Sequence, residues 1–323
     1  MPLKLVQILL GAATLSLGVP ASAQTLSSKP IRIVVPVAAG AANDILARIA
    51  GDWLGKRTGL SIVVENRTGA GGNVALEQVA KGEPDGHTLL AATNGAITIN
   101  RALFRKDPVD TLTDVVPVAA IAEFPQILTI NGKLAARTAQ EFIALAKASP
   151  GTISYGSAGL GSAPHLALAL FARLAGIDLL HVPYRGIAPA VTDLVGGTIH
   201  AIGSGNATVA PFVEQGLLRP LATASPRRLP YLPDVPTAAE IGLPRWEVET
   251  WYALFAPRGT PKPIVDELNG HIQAMFRDGA YKKKLDEGFY DAMPMSADAF
   301  AARVRSDVAK WERIVKETGV EPQ

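Results

Sequence analysis

Cysteine is missing from all 323 residues of the chain. Its absence excludes disulfide bonds, thiol catalysis and metal sites with cysteine ligands. A protein of this length without disulfides must rely on a hydrophobic core for its stability. The sequence therefore predicts a large globular fold rather than a small cross-linked one.

An excess of charge of one sign is also missing. The chain has 31 Lys+Arg and 29 Asp+Glu, for a formal net charge of +2. Proteins that bind nucleic acids or anionic membrane surfaces carry a concentrated basic excess. The balance predicts that neither a nucleic acid nor a membrane surface is a partner.

Long apolar runs are confined to the N-terminus. Lys4 precedes an apolar run over residues 5–18, and Ala21, Ser22 and Ala23 follow as small residues. This pattern is typical of a cleavable signal peptide and is short for a membrane-spanning helix. We predict a cleavable signal peptide over residues 1–23 and an exported protein. The remaining residues, 24–323, suffice for two lobes.

Catalytic motifs are absent as well. The glycine–serine runs do not have the Gly-x-Ser-x-Gly spacing of hydrolases, and the glycine pairs lack the third glycine of the dinucleotide fingerprint. His165, His181 and His200 are not spaced as metal ligands, and no carboxylate pair accompanies them. The sequence predicts no enzyme, no cofactor and no metal.

What the chain does contain is a strand, a loop of small residues and a helix near its start. Residues 31–35 are a β-branched apolar run, which is typical of a buried strand. A loop around Gly40 follows, and Asn43 and Asp44 are typical of a helix start. A helix N-terminus after such a loop suits an anion. The alternative is an ordinary turn between a strand and a helix.

Predicted strands and helices continue to alternate along the chain, and the predicted helices include residues 139–148, 163–175 and 297–318. This alternation predicts an α/β fold with two lobes, each a mostly parallel sheet flanked by helices. Apolar segments near residues 122–127 and 250–255 are interpreted as two crossings between the lobes. The first lobe then comprises residues 24–122 and 251–323, whose C-terminal helices pack back on it, and the second comprises residues 123–250.

Ligands of open α/β sheets bind at the carboxyl ends of strands, which here meet in a cleft between the lobes. His165 lies in the first turn of a predicted helix and is either a capping or packing residue or a ligand-facing one. Tyr184 and Arg185 are either walls of the cleft or a solvated turn. Asp44 and Arg48, four residues apart, predict a salt bridge.

Several short motifs occur together in a characteristic order. They are KPIRIVVP (29–36), VVENR (63–67) with GAGG (69–72), PDG (84–86), YGS (155–157), HVPYRG (181–186), LPDVPT (232–237) and APRGTP (256–261). By these motifs, which extend over nearly all of residues 24–323, the chain resembles the Bug (Bordetella uptake gene) family. Its members are periplasmic solute-binding proteins of tripartite tricarboxylate transporters.

The resemblance implies a two-lobed periplasmic-binding-protein (flytrap) fold that closes around a small carboxylate and delivers it to membrane permease subunits. We expect the binding protein itself to be a monomer. By the same resemblance, backbone N–H groups and hydroxyls hold the ligand, with water filling remaining gaps. The expected ligand-binding residues are Val37, Ala39, Gly40, Ala41, Asn43, Asn94, Ser157, Gly161, Ser162, His165, Tyr184 and Asn206.

The chain departs from the family pattern in its first loop. Val37 stands where the family usually has phenylalanine, and Ala41 occupies a glycine position. The lost aromatic volume predicts a carboxylate with a bulkier apolar body, an aromatic acid or a medium-chain dicarboxylate. The alternative is that Phe124 or Trp251 fills the space.

Two other functions fit the same chemistry. One is a periplasmic protein that presents a carboxylate to a sensor kinase, and the other is an unrecognised periplasmic enzyme acting on a carboxylate. The absence of a nucleophile–base pair or a metal set argues against the enzyme.

Overall fold

A computed structural model describes residues 26–69, 72–104 and 109–321 of the chain. The predicted signal peptide over residues 1–23 lies outside these described residues. Within them, apolar runs with β-branched residues form strands, and amphipathic segments form helices.

The described strands and helices follow one another in alternation. The strands are β1 (Ile31–Val35), β2 (Ile62–Asn66), β3 (Thr88–Thr93), β4 (Val115–Pro125), β5 (Ile127–Asn131), β6 (Ser154–Ser157), β7 (Leu180–Pro183), β8 (Ala201–Ser204), β9 (Leu218–Thr223), β10 (Glu249–Pro257) and β11 (Asp291–Ala292). The helices are α1 (Ala42–Thr58), α2 (Asn73–Ala80), α3 (Asn100–Leu103), α4 (Ala139–Ala148), α5 (Ala163–Ala175), α6 (Ile187–Gly196), α7 (Asn206–Glu214), α8 (Lys262–Met275), α9 (Gly279–Glu287) and α10 (Ala297–Thr318), and a π-helical turn spans Gly95–Ile99. The bounds predicted for α4, α5 and α10 are confirmed.

The strands form two sheets, one in each lobe. The first has the order β11-β4-β10-β3-β1-β2, and the second has the order β7-β6-β8-β5-β9. Helices flank both sheets, so the predicted two-lobed α/β class is confirmed.

The sheets are mixed, however, and the expectation that each is mostly parallel needs correction. Strand β1 pairs in parallel with β2 and β3, whereas β10 pairs antiparallel with β3 and β4. In the second sheet β6 pairs in parallel with β7 and β8, whereas β5 pairs antiparallel with β8 and β9. Each of these antiparallel pairs contains β4, β5 or β10, the strands next to the two crossings. The chain leaves the first sheet through β4 and returns to it through β10, so these two strands run in opposite directions.

The two predicted crossings lie side by side. Strand β4 passes through Gln126 into β5, and the returning chain passes through Val248 into β10. The Gln126 N–H donates to the Val248 carbonyl at 2.8 Å, and Glu249 pairs with Pro125. We call these two connecting segments, around Gln126 and Val248, the hinge.

Helix α10 packs against both lobes rather than only the first. Phe300 and Val304, in its N-terminal half, belong to a core of the first lobe, whereas Trp311 and Ile314 belong to the core of the second. Arg303 in the same helix donates to Glu249 of β10 at 2.6 Å. The last helix therefore joins the two lobes behind the hinge. Of the helices in the described part of the chain, none has both the length and the hydropathy needed to cross a membrane.

Candidate functional site

The cleft between the lobes contains a cavity of about 220 Å³. The first lobe, the hinge and the second lobe all contribute to its wall. The lining residues are Ala42, Phe124, Gln126, Ala158, Pro164, Ile187, Ser204, Gly205, Asn206, Ala207, Thr208, Thr250, Tyr252, Gly288, Phe289 and Tyr290. None of these side chains is charged.

Helices α1 and α7 begin at this cavity from opposite lobes. The first residue of α1, Ala42, and the first turn of α7, residues 206–208, are among the lining residues. The residues that precede these helices, Ala41 and Gly205, provide no side-chain cap. Because the first N–H groups of a helix lack an intrahelical acceptor, both N-termini carry partial positive charge. An anion in the cavity therefore faces two helix N-termini.

Helix α5, whose start includes the expected ligand-binding residues Ser162 and His165, closes its own N-terminus. Ser162 Oγ accepts from the His165 N–H at 3.4 Å and donates to the Gly159 carbonyl at 2.7 Å. The Gly161 N–H donates to His165 Nδ1 at 3.0 Å, and Pro164 has no N–H to offer. The Gly161 N–H and the Ser162 hydroxyl, which were expected to bind a ligand, therefore already donate to acceptors within the second lobe.

The rings of His165 and His181 stack inside the second lobe. Their centroids are 3.9 Å apart, and Tyr155 stacks on His181 at 4.9 Å. His181 Nε2 is 2.7 Å from Ser157 Oγ. Burial, together with the neighbouring His181, lowers the pKa of His165 to about 3, and burial lowers the pKa of His181 to about 4. Both rings are therefore neutral at pH 7, and the contacts of His165 are those of a packing residue.

Tyr184 is held within the second lobe by a carboxylate. Its hydroxyl donates to Asp193 Oδ2 at 2.6 Å, which ties the end of β7 to α6. Burial and this hydrogen bond raise the pKa of Tyr184 to about 12. Arg185 beside it is exposed, as a solvated turn would be. Asn206 is the one predicted second-lobe residue that lines the cavity.

The loop before α1 is organised by Asp44. Its carboxylate accepts from the Gly40 N–H at 2.9 Å and pairs with Arg48 at 2.9 Å, so the predicted salt bridge is confirmed. Asn66 donates to the same carboxylate and to the Val37 carbonyl, both at 2.9 Å. Although burial opposes ionisation, these hydrogen bonds and the charge of Arg48 lower the pKa of Asp44 to about 2.

The other predicted first-lobe residues have different surroundings. Ala39, Gly40 and Ala41 are exposed, and Val37 is half-buried against the first-lobe core. The buried Asn43 amide donates to the Ala91 carbonyl at 3.0 Å.

Asn94 lies at the end of β3, next to the hinge. Its amide donates to the Glu249 carbonyl at 2.8 Å, while its buried Oδ1 has no partner among the described residues. The ligand-binding role of the predicted residues stays a prediction, and only Asn206 among them lines the cavity.

An aromatic wall at the cavity was not anticipated from the sequence. The Phe124 ring centroid lies 6.0 Å from those of both Tyr252 and Tyr290. Phe289 completes the wall, and its ring centroid lies 5.1 Å from that of Tyr231 in the second lobe. Trp251, the other candidate for the space near Val37, is instead buried in a separate core cluster.

Position in the hinge could have identified Phe124 and Tyr252, because both lie in the predicted crossings. No local pattern marks Phe289 or Tyr290.

A protein-family match is consistent with this two-lobed geometry. The family described as "Tripartite tricarboxylate transporter family receptor" matches residues 46–320. The chain belongs to this family. It is 35% identical to Protein BugT of Bordetella pertussis over 312 residues, which cover 95% of this chain and 94% of BugT.

Solved structures of similar proteins have the same fold. "R. palustris Rpa4515 with adipate" is 34% identical with a TM-score of 0.84, covering 92% of this chain and 99% of that one. The structure of periplasmic binding protein BugD is 31% identical with a TM-score of 0.81, covering 92% of this chain and 100% of BugD. The predicted resemblance to the family is confirmed.

Among the described residues of this family member that line the cavity between the lobes, no side chain is charged, and two helices begin at the cavity. Within the described residues, no group of three or more histidine or acidic side chains is arranged to hold a metal ion.

Proposed function

We propose that the protein captures a small carboxylate in the interlobe cavity and delivers it to a tripartite tricarboxylate-type permease. The observation that carries this proposal is that α1 and α7, from opposite lobes, begin uncapped at one cavity. Two helix N-termini stabilise a carboxylate without a buried cation. The adipate bound to a relative supports the same ligand class.

The ligand we propose has an apolar body, either aromatic or a medium-length chain. Phe124, Tyr252, Phe289 and Tyr290 offer ring surfaces on which such a body packs. This apolar wall comes from the hinge and from the segment before β11, and not from the loop at Val37.

We further propose that the protein acts in the periplasm as a monomer and releases its ligand unchanged. The signal-peptide pattern supports export, and the family's receptor role supports binding without catalysis. Incubation of the protein with a bound acid, followed by mass spectrometry, tests the last point. Recovery of the intact acid is expected, and conversion to a product would contradict binding without catalysis.

The substitution Ala41→Asp tests the carboxylate site directly. Ala41 has φ −71° and ψ 157°, the extended conformation of an N-cap residue. Aspartate there caps α1 and raises the free energy of unfolding by about 1 kcal/mol, while its charge occupies the place of the ligand carboxylate. We expect the dissociation constant for a carboxylate to rise about tenfold or more.

Ala41→Asn is the matched control, because it supplies a cap without the charge. It should stabilise the protein similarly and weaken binding less than aspartate does. Calorimetric titration and urea denaturation measure the two effects separately. Full retention of affinity in Ala41→Asp would exclude α1 from the binding site.

A further inference from the structure

We infer that Gln126 and Ser204 form a polar subsite that recognises a hydroxyl group of the ligand. The inference rests on the proposed function and names the ligand class more narrowly. It assigns a hydroxy monocarboxylate, either aliphatic or aromatic, to the cavity, rather than a dicarboxylate.

Both side chains end in buried polar atoms that have no partner. Gln126 is 1% exposed and Ser204 is 2% exposed, and both line the cavity. Gln126 Oε1 and Ser204 Oγ accept or donate no hydrogen bond among the described residues. Buried polar atoms are rarely left without partners, because desolvation without a compensating hydrogen bond is unfavourable. A ligand group that pairs with both atoms removes this penalty.

The backbone holds the two residues next to each other at the hinge. Ser204 pairs with Ile127, the neighbour of Gln126, across strands β8 and β5. The Gln126 N–H donates to Val248, and its carbonyl accepts from Ala224, each at 2.8 Å. Its side-chain Nε2 donates to Thr250 Oγ1 at 3.0 Å, which leaves Oε1 as the unpaired atom.

The chemistry of the two atoms selects the ligand group. An amide oxygen only accepts, whereas a serine hydroxyl donates and accepts. A ligand hydroxyl can donate to Gln126 Oε1 and accept from Ser204 Oγ at the same time. An ionised carboxylate only accepts, so it is repelled by Gln126 Oε1. No charged side chain in the described part of the chain lines the cavity to offset that repulsion.

Matched acids test the inference by calorimetric titration. One series is hexanoate, 6-hydroxyhexanoate and adipate, and the other is 3-phenylpropanoate, 3-(4-hydroxyphenyl)propanoate and 4-(2-carboxyethyl)benzoate. In the series that fits the cavity, we expect the hydroxy acid to bind about tenfold more tightly than the unsubstituted acid. The dicarboxylate should bind more weakly than the hydroxy acid.

Two variants and one control assign the effect to the subsite. Gln126→Leu and Ser204→Ala should each reduce the preference for the hydroxy acid to about threefold or less while the unsubstituted acid still binds. Thr129→Val is the control, since Thr129 Oγ1 is also buried and unpaired in β5 but does not line the cavity. It should retain the wild-type preference.

The outcomes separate the two proposals. Equal affinity for the hydroxy and unsubstituted acids, tightest binding of a dicarboxylate, or an unchanged preference in both variants would overturn the subsite while the carboxylate-binding function stands. If no acid of either series binds, the proposed function fails, and the subsite fails with it.

Discussion

Ser162 is the residue at which local capping and ligand binding can be told apart. Its hydroxyl caps α5 by accepting from the His165 N–H, as its position before the helix predicts. The same hydroxyl donates to the Gly159 carbonyl at 2.7 Å, so it has no hydrogen left for a ligand. The family resemblance implies a ligand-binding role for Ser162, whereas its contacts favour the cap alone.

We predict that Ser162→Ala lowers the free energy of unfolding by about 1 kcal/mol, the usual contribution of an N-cap hydroxyl. Its affinity for the acids above should change by less than about twofold. Ser296→Ala is the control, because Ser296 caps α10 in the same way and lies outside the cavity lining. The two variants should match in urea denaturation and in titration. A large loss of affinity in Ser162→Ala alone would restore this hydroxyl to the binding site.

At the scale of elements, the stacked histidines join α5 to β7. His165 lies in the first turn of α5 and His181 in β7, and their rings are in contact. Burial keeps both rings neutral in the folded protein, with pKa values of about 3 and 4. An unfolded histidine has a pKa near 6.5. Between these values the unfolded chain binds protons that the folded protein does not, so acid favours unfolding.

We therefore predict that the free energy of unfolding falls as the pH is lowered from 6.5 to 4. Each histidine adds a slope of up to about 1.4 kcal/mol per pH unit. In His181→Gln the slope between pH 6 and pH 5 should be smaller by roughly that amount. Urea denaturation at pH 7, 6 and 5 measures the difference. Parallel pH profiles for the variant and the wild type would show that His181 titrates alike in both states.

At the scale of the whole molecule, the cavity walls come from two lobes that meet at a hinge of paired strands. Gly205 of the second lobe already lies close to Phe124, since a Cβ added there would be 2.6 Å from the ring. Helix α10 joins the lobes behind the hinge, so a change in the angle between the lobes would have to be accommodated by its packing on both sides.

We predict that ligand binding closes the two lobes about this hinge, because the ligand contacts both of them. Small-angle scattering should record a smaller radius of gyration at saturation than without ligand. Ala41→Asp, at the same acid concentration, should show a smaller decrease in radius, because a smaller fraction of it is bound. An unchanged radius for the saturated wild-type protein would argue against closure.

Short-range patterns in the sequence specify the local structure of the chain. The β-branched run at Ile31–Val35, the serine before α5 and the i,i+4 pair of Asp44 and Arg48 act over a few residues, so periodicity and capping predicted them. The family motifs, distributed along most of the chain, were likewise readable and fixed the two-lobed class.

Contacts between distant parts of the chain specify which groups face the cavity. Whether a helix N-terminus is open depends on the atoms around it, and for α5 those are its own serine and histidine. Strand direction in the sheets followed from the route of the crossing chain. Ala42, Asn206 and Tyr290 are far apart in the sequence and share one wall because two lobes fold against each other. Such long-range contacts leave no local pattern, since hydrophobic packing is not directional and depends on the whole fold.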